Sequence, residues 1–331
     1  MLSHLKIAVV VPCYRVKKHI IDVIAKIDNN VNKIYVVDDY CPEKSGLYVR
    51  EQLSDSRVQV IFHSKNKGVG GAMITGYRQA LIDNIDIVVK IDGDGQMDPA
   101  LMPRFIKPIE EVKADYVKGN RFFDITLLKD MPTIRLLGNT GLSFIGKLAS
   151  GYWSTMEPTN GYTAIHTTVL VHLPLDKIAN RYFFESDMLF HLGMLRAVVA
   201  DIPMHARYQD EASNLSIIQT LFSFPVRYLK CIVKRIFYHY LLRDFNLGSF
   251  CFVVGSLLTL GGTAFGAWKW YSLSVLGIQA SSGTVMLAAL PIIIGIQFLM
   301  SSIQFDIMNA PKSVIYPFLK DILHDAKSDT T

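Results

Sequence analysis

The strongest constraint in this sequence is a pair of long uncharged segments near its C-terminus. No charged residue occurs from Phe245 to Trp268 or from Trp270 to Phe305. A helix of about 20 apolar residues is enough to cross the hydrocarbon core of a bilayer. Two buried helices of a soluble core are the alternative, but uncharged segments of this length favour membrane spans. The sequence therefore predicts a transmembrane hairpin over 245–305, with spans at about 247–267 and 284–305.

Charged residues around the hairpin predict its orientation and a contact with the membrane surface. Only Lys269 lies between the two spans, whereas residues 216–244 contain a basic cluster and no acid before Asp244. The cluster consists of Arg227, Lys230, Lys234, Arg235 and Arg243. By the positive-inside rule, both termini are expected in the cytosol. Apolar residues accompany the basic ones at helical spacing, which is typical of an amphipathic helix on an anionic membrane surface. A basic helix packed on a globular domain is the alternative.

The composition excludes several classes of protein. Half of the 331 residues are apolar and 19% are charged, which excludes a disordered or fibrous chain. The four cysteines form no CxxC pair, so neither a disulfide framework nor a structural zinc site is expected. The first apolar run, Ile7 to Pro12, is too short for a signal peptide. We expect a membrane protein with a cytosolic N-terminal domain, in the plasma or inner membrane if the chain is bacterial. No nucleic-acid partner is expected, and a homo-oligomer is compatible with the sequence.

Residues 1–215 have a different pattern, in which short β-branched segments alternate with segments of helical length. Strands are predicted at Ile7–Val11, Ile34–Val37, Val58–Phe62 and Ile85–Ile91. Helices are predicted at about Lys17–Asn29, Ser45–Leu53 and Gly70–Asn84. Apolar strands separated by helices predict an α/β fold with a mostly parallel sheet covered on both faces, whose ligands bind at the carboxyl ends of the strands. Residues 306–331 are predicted to form a cytosolic tail.

The loop after the fourth predicted strand carries the clearest chemical signal. Its sequence is Ile91-Asp92-Gly93-Asp94-Gly95-Gln96-Met97-Asp98-Pro99, with two carboxylates one glycine apart. An Asp-x-Asp pair on a tight loop offers hard oxygen ligands to Mg²⁺ or Mn²⁺. Such an ion neutralises a diphosphate leaving group. An Asp-Gly-Asp turn without a metal is the alternative, and an EF-hand is excluded because the required Gly and Glu positions are occupied by other residues.

Two further loops follow predicted strands. Asp38 and Asp39 end the second strand, where a carboxylate can hydrogen-bond a base or a ribose. An Asx turn that closes the strand is the alternative. The segment Asn66–Ala72 opens a helix with three glycines and can admit a nucleotide closely. It matches neither the P-loop pattern nor the dinucleotide pattern, which excludes kinases, P-loop ATPases and Rossmann dehydrogenases.

Four motifs occur in a distinctive order along the chain. They are Val11-Pro12-Cys13-Tyr14, Val37-Asp38-Asp39, Asn66-x-Gly68-x-Gly70-Gly71-Ala72 and Asp92-x-Asp94-x-Gln96. Their order and spacing resemble those of inverting family 2 glycosyltransferases of the GT-A fold. More narrowly, the chain resembles the group of dolichol-phosphate mannose synthases and bacterial polyprenyl-phosphate glycosyltransferases. The resemblance covers about residues 6–210, and the basic helix and the hairpin extend it to about residue 305.

This resemblance implies roles for individual residues. The implied metal ligands are Asp92, Asp94 and Gln96. The implied nucleotide-sugar-binding residues are Pro12, Tyr14, Asp38, Asp39, Lys67, Gly70, Asp92, Glu185 and Arg207. The implied catalytic residues are Asp94, Arg121, Arg135 and Asp187. Arg121 and Arg135 are similar to the arginines that face the acceptor phosphate, and Arg207 is similar to the one that grips the donor diphosphate. Arginine suits these roles because its planar fork matches phosphate oxygens two at a time.

Glu185 and Asp187 allow two interpretations. They are expected to open a helix, whose first turn favours acids. The family's acidic motif implies instead that they hold sugar hydroxyls or orient the acceptor. The chain departs from the family pattern at Arg15, Tyr40 and Asn120, which bears on the sugar and the base more than on the reaction.

The residues and the resemblance together predict a membrane-bound enzyme. It would transfer one hexose from a nucleotide diphosphate sugar to a polyprenyl phosphate, with inversion, for envelope glycans or glycoconjugates. UDP-glucose is the first expected donor and GDP-mannose the second, both from the resemblance alone. Transfer to a lipid hydroxyl is one alternative and needs a general base, for which Asp187 is the candidate. A non-catalytic membrane adaptor or transporter subunit is the other, but the intact Asp92-x-Asp94-x-Gln96 triplet argues against it.

Overall fold

The structure is a computed structural model and describes residues 5–123, 133–204 and 217–328. The chain forms two compact units. Residues up to Cys231, together with those from Pro311 onward, form the first unit, and Ile232–Ala310 form the second. The first unit therefore extends beyond residue 215, and it includes the segment that the sequence predicts to be a separate tail.

The first unit is built on a seven-stranded sheet. Its strands are β1 (Ile7–Cys13), β2 (Lys33–Asp38), β3 (Val58–Phe62), β4 (Ile87–Lys90), β5 (Tyr116–Asn120), β6 (Thr163–His166) and β7 (Val199–Pro203). Their spatial order is β3-β2-β1-β4-β6-β5-β7. Neighbouring strands are parallel except for β6, which pairs antiparallel with both β4 and β5. The predicted, mostly parallel sheet is thus confirmed, and the antiparallel strand is an addition to it.

Helices cover both faces of this sheet. They are α1 (Ile20–Ala25), α2 (Ser45–Gln52), α3 (Val69–Ile82), α4 (Met102–Glu110), α5 (Thr133–Ser150), α6 (Thr167–Val171) and α7 (Phe184–Leu195). Alternate residues of β1 enter different cores, with Ala8 and Val10 on the side of α3 and Val9 and Val11 on the side of α1. This explains why the strand reads as an unbroken apolar run, since both of its faces are buried. Helix α1 is shorter at both ends than predicted.

The strand directions decide where the functional loops meet. The carboxyl ends of β1, β2, β4 and β5 lie at one edge of the sheet because these strands run parallel. Since β6 runs the other way, its first residue, Thr163, lies at the same edge. The loop that precedes β6 therefore reaches this edge together with the loops that follow the parallel strands. We call it the carboxyl edge.

The second unit contains the two predicted apolar helices. Helix α8 (Ile217–Arg235) continues as a π-helical segment, Ile236–Arg243, and is followed by α9 (Leu247–Val275) and α10 (Ser282–Met308). Both α9 and α10 are long and apolar enough to cross a membrane, and most of their side chains are not buried within the protein. They pack closely on each other, because a Cβ on Gly255 would lie 2.8 Å from the carbonyl oxygen of Gly295. Small residues of this kind let helix backbones approach each other in membranes.

The chain after α10 packs on the first unit. We call residues 311–328 the C-terminal strap; it contains α11 (Tyr316–Ser328). The backbone N–H groups of Ile315 and Tyr316 donate to the Asp115 carboxylate over 3.0 and 2.8 Å. The Tyr316 ring stacks on His166 with centroids 4.0 Å apart, and its hydroxyl donates to the carbonyl oxygen of Ile109 over 2.8 Å. Asp115 precedes β5, so the strap docks at the edge opposite the carboxyl edge.

Candidate active site

The loop after β4 brings the predicted metal triplet to the carboxyl edge. Gly95 has a φ of +80°, a left-handed conformation that lets the loop turn tightly. The Asp94 carboxylate accepts from the backbone N–H of Gln96 over 3.0 Å, which closes an Asx turn. Asp92, Asp94 and Gln96 are all partly exposed. The loop thus presents two carboxylates and an amide within reach of a ligand from solvent.

The donor set of this loop fits Mg²⁺ or Mn²⁺. Both ions prefer oxygen ligands from carboxylates, carbonyls and water, and Mg²⁺ commonly binds proteins through only one or two carboxylates. Among the residues that the structure describes, no three His, Cys, Asp or Glu side chains cluster as a ready-made metal site. Asp92 and Asp94 therefore need the Gln96 amide, water or phosphate oxygens to complete a coordination sphere.

Behind the loop lies a buried lysine that the sequence prediction did not single out. The Nζ atom of Lys90, the last residue of β4, lies 2.9 Å from Oδ1 of Asp92 and 3.1 Å from Oε1 of Glu185. Burial alone would lower the pKa of Lys90, but the two carboxylates raise it above its ordinary value. Burial raises the pKa of Glu185, and the lysine partly offsets this. The signal in the sequence is a single lysine inside an apolar strand, because a buried cation requires a partner.

Asp38 and Asp39 lie at the carboxyl edge, and their carboxylates bind groups of the domain itself. Asp38 accepts from the backbone N–H groups of Cys41 and Gly46 over 2.8 and 2.7 Å. Asp39 accepts from the backbone N–H groups of Lys67 and Gly68 over 2.8 and 2.7 Å, and its Oδ1 lies 2.7 Å from a His63 ring nitrogen. Both acids are buried. They shape the loops around them, and their contact with a nucleotide stays a prediction.

The glycines of the segment Asn66–Ala72 allow close packing against the chain before α7. A Cβ on Gly70 would lie 2.3 Å from the carbonyl oxygen of Ala179. The backbone N–H of Gly71 donates to the carbonyl oxygen of Asn180 over 3.0 Å. In the structure these glycines therefore allow the first turn of α3 to pack against the loop before α7. Lys67 is exposed at this segment, and its predicted role, like that of Gly70, stays a prediction.

Arg121 follows β5 and is held by a glutamate from the loop before β6. Its Nε donates to Oε1 of Glu157 over 2.5 Å, and its backbone N–H donates to Oε2 over 2.9 Å. Glu157 is buried and has a φ of +49°, a left-handed conformation uncommon for this residue type. Asn160 also donates to Glu157, over 3.0 Å. The Arg121 side chain keeps 32% of its surface exposed, so a ligand at this edge can reach it.

Glu185 and Asp187 lie in the first turn of α7, as one of the two sequence interpretations predicts. The Asp187 carboxylate accepts from the backbone N–H of Ala179 over 2.7 Å, and its other oxygen lies 3.9 Å from a His191 ring nitrogen. Both acids are buried. The structure thus connects Glu185, through Lys90, to the loop after β4 (residues 91–99), which we call the metal loop after its predicted ligands. It connects Asp187 to the loop before α7.

The remaining predicted residues are placed as follows. Pro12 lies within β1 near its carboxyl end, and Tyr14 is exposed just after this strand, with the guanidinium carbon of Arg15 5.4 Å from its ring centroid. Arg135 lies in α5, where the structure describes the backbone alone. Arg207 lies outside the described residues. Of the three predicted phosphate-binding arginines, Arg121 is thus the one whose side chain the structure describes.

Comparisons with known proteins agree with this arrangement. Residues 8–172 match the family model for glycosyl transferase family 2. A UDP-N-acetylglucosamine–dolichyl-phosphate N-acetylglucosaminyltransferase of Methanococcus voltae is 31% identical, over 62% of this chain and 86% of its own. An undecaprenyl-phosphate mannosyltransferase of Micrococcus luteus is 30% identical, over 52% of this chain and 70% of its own. The fold is similar to that of glucosyl-3-phosphoglycerate synthase from Mycobacterium tuberculosis, solved with Mn²⁺, UDP-glucose and phosphoglyceric acid. The TM-score is 0.52 at 18% identity, and the match covers 70% of this chain and 80% of the synthase.

Proposed function

The chain belongs to glycosyltransferase family 2 and has the GT-A fold, and from this premise we propose that it transfers one sugar from a nucleoside diphosphate sugar to a polyprenyl phosphate. The relatives from Methanococcus voltae and Micrococcus luteus support this acceptor, because both are named for transfer to a prenyl phosphate. Their sugars differ, so they support the acceptor class more than the donor. The observation that carries the proposal is the Asp92-x-Asp94-x-Gln96 triplet at the same edge of the sheet as Arg121.

The acceptor chemistry explains why cations matter more than a base. A phosphate monoester has a second pKa of about 6, so most of it is doubly negative at neutral pH. Its oxygen attacks the anomeric carbon from the side opposite the departing diphosphate, which inverts that carbon. No side chain has to remove a proton first. The task of the protein is to hold two negatively charged groups in line, and Arg121 offers charged hydrogen bonds for the acceptor phosphate.

The donor diphosphate is the proposed partner of the loop after β4. A divalent cation, Mg²⁺ or Mn²⁺, would neutralise the charge that develops on the departing nucleoside diphosphate. Asp92, Asp94 and Gln96 would hold it. The Mycobacterium tuberculosis synthase of similar fold was solved with Mn²⁺ and UDP-glucose, which supports a nucleotide sugar and a divalent cation as ligands. UDP-glucose is the first donor to test, GDP-mannose the second, and the archaeal relative adds UDP-N-acetylglucosamine.

The membrane is the proposed location of the enzyme. Helices α9 and α10 would cross it, and the first unit would lie on the cytosolic side with both termini. Arg227, Lys230 and Lys234 are exposed on α8, beside exposed apolar residues such as Leu229 and Val233. This mixture suits the surface of an anionic bilayer, where each basic residue contributes about 1 kcal/mol. Salt would screen this attraction but not the two spans, so the protein should stay with the membrane in high salt and be released only by detergent.

The test of the proposed reaction uses the purified full chain in detergent. It is incubated with polyprenyl phosphate and each of the three labelled donors, and the transfer of label to lipid is measured. We expect one donor to be used and Asp94→Asn to abolish transfer, because a carboxylate ligand becomes neutral. Excess chelator should have the same effect, and Mn²⁺ or Mg²⁺ should restore transfer.

Matched acceptors separate the components of the proposal. Polyprenyl alcohol of the same length should not accept sugar, since it lacks the phosphate nucleophile. Transfer to the alcohol but not to the phosphate would overturn the acceptor class. Full activity in excess chelator would overturn the metal requirement and leave the acceptor class standing.

A further inference from the structure

The most unusual electrostatic arrangement in the first unit is the buried lysine behind the metal loop. Lys90 is 1% exposed, and the three residues before it in β4, Ile87, Val88 and Val89, are buried and apolar. Its ammonium lies between the carboxylates of Asp92 and Glu185, at 2.9 and 3.1 Å. Glu185 is 95 residues away in the sequence, so the fold brings the two carboxylates to one cation.

Stability gives no reason to keep these charges. Removing charged groups from water is costly, and a buried ion pair can often be replaced by apolar side chains of similar volume without loss of stability. An apolar residue at position 90 would continue the apolar strand. The reason for the lysine must therefore be sought in what its ammonium does to its neighbours.

The side chains of Asp92, Lys90 and Glu185 differ in how accessible they are to a ligand. The side chain of Asp92 keeps 29% of its surface exposed, whereas those of Lys90 and Glu185 keep 1% and 10%. A ligand at the carboxyl edge can thus reach the Asp92 carboxylate but not the ammonium behind it. Gly161 makes room for this contact, because a Cβ there would lie 2.5 Å from Nζ of Lys90 and 2.9 Å from Oδ2 of Asp92.

We propose that Lys90 and Glu185 are positioning residues for the metal loop. The Lys90 ammonium fixes the orientation of the Asp92 carboxylate through Oδ1, and Glu185 fixes the ammonium from the other side. In this role Glu185 acts through Lys90 and not by holding a sugar hydroxyl. The inference rests on the proposed function in one respect, namely that Asp92 contributes to binding a divalent cation with the donor nucleotide.

The test compares three variants of the full chain in detergent: Lys90→Met, Glu185→Gln and the double variant with both changes. Binding of Mn²⁺ is measured from the loss of the free-ion signal in electron paramagnetic resonance, with UDP and with GDP, and thermal unfolding is measured in parallel. Lys90→Met alone leaves a buried carboxylate uncompensated and should lower the unfolding midpoint strongly. The double variant carries no unpaired charge on Glu185 and should recover much of that loss.

A positioning role predicts that affinity does not recover with stability. Residues that orient metal ligands from behind typically change metal affinity by roughly 10- to 100-fold. We therefore expect the double variant to bind Mn²⁺ with nucleotide at least about tenfold more weakly than the wild type.

The second buried lysine of this edge provides a matched control. Lys118 is also 1% exposed, and its Nζ lies 3.2 Å from Oδ1 of Asp201. The double variant Lys118→Met with Asp201→Asn removes a comparable pair without touching the metal loop, so its Mn²⁺ affinity should equal that of the wild type.

Two results would overturn the inference, and they differ in reach. If the Lys90→Met, Glu185→Gln double variant binds Mn²⁺ with nucleotide within twofold of the wild type, the pair is structural and only this inference fails. If the wild type binds no Mn²⁺ with either nucleotide, the proposed metal site fails and takes this inference with it.

Discussion

Replacing Gly161 with alanine adds one methyl group beside the contact between Lys90 and Asp92. The new Cβ would lie 2.5 Å from Nζ of Lys90, 2.9 Å from Oδ2 of Asp92 and 3.1 Å from Cε of Met97. Ordinary contacts begin at 3.4 Å, so these three atoms must move away by at least about 0.9, 0.5 and 0.3 Å. Nζ ends a flexible side chain, but it is buried and held by two carboxylates. The contact that yields is therefore the one between Lys90 and Asp92.

The expected cost follows from this geometry. Overfilling a packed site typically costs about 1–3 kcal/mol. For a folded unit of this size, that lowers the unfolding midpoint by roughly 2–4 °C per kcal/mol, so by roughly 2–12 °C in total. Nucleotide-dependent Mn²⁺ binding should weaken as well, because the Asp92 carboxylate loses its fixed orientation. Both quantities are measured on the full chain in detergent, by differential scanning fluorimetry and by the loss of the free Mn²⁺ signal.

Gly141 provides the control for Gly161→Ala. It lies in α5, is exposed, and has no described atom within 4 Å of the position of its Cβ. Gly141→Ala should leave Mn²⁺ binding unchanged and stabilise the protein by about 0.5–1 kcal/mol, since alanine is the better helix former. If Gly161→Ala proves as stable as Gly141→Ala and binds Mn²⁺ equally well, the steric argument is refuted.

Three further predictions use other parts of the structure. Burial lowers the pKa of His166 from 6.5 to about 4, so between these values the unfolded chain binds a proton that the folded chain does not. This stabilisation, about 3 kcal/mol, is present above pH 6.5 and lost as the pH falls toward 4. His166→Asn should therefore flatten the dependence of the unfolding midpoint on pH between 4 and 6.5. An unchanged slope would show that His166 does not cause this dependence. Asp187→Asn should change kcat/KM for polyprenyl phosphate little, because an amide oxygen can still accept a hydrogen bond from the loop before α7. Arg121→Lys should lower kcat/KM about tenfold, because lysine lacks the planar fork. A larger effect of Asp187→Asn than of Arg121→Lys would favour a hydroxyl acceptor with a general base. Gly295→Leu should lower the thermal stability in detergent, because even a Cβ at this position would lie 2.7 Å from a backbone nitrogen of α9. Gly261→Leu should not, because no described atom lies within 4 Å of the position of its Cβ. Equal effects of the two changes would argue against close packing of α9 and α10.

Local sequence patterns predicted strands β1 to β4, helices α1 to α3 and the two apolar helices α9 and α10. The strands β1, β2 and β4 read as apolar runs because they are buried on both faces, and the acidic loop after β4 is contiguous in the sequence. The two apolar helices are long and contain one charged residue each, Lys269 in α9 and Asp306 in α10, so their composition alone predicts them. Strands β5, β6 and β7 were not predicted, because β5 and β7 contain polar residues such as Lys118 and Asp201, and β6 has only four residues. No local pattern indicates that β6 runs antiparallel.

The geometry of the site depends on pairs that are distant in sequence. Lys90 meets Glu185 across 95 residues and Arg121 meets Glu157 across 36, and neither pair follows a spacing rule of a helix or a strand. Backbone conformation was equally hidden. Tyr40 stands where the family commonly has glycine, and its φ of +56° shows that the left-handed turn is kept with a bulkier residue. Asp38 and Asp39 were predicted at the right edge, but the sequence could not reveal that backbone amides occupy their carboxylates.

The C-terminal strap limits how many times this chain can cross a bilayer. One part of the first unit ends at Cys231 and the other begins at Pro311, so the segment between them starts and ends in the same folded unit. This segment must cross the bilayer an even number of times, because the first unit lies on one side of the membrane. A variant that lacks one apolar helix cannot both insert the other helix across the membrane and dock its strap on Asp115. Deletion of both helices, with a flexible linker from Cys231 to Pro311, keeps the number of crossings even and retains the strap. A chain that stops at residue 245 lacks the strap.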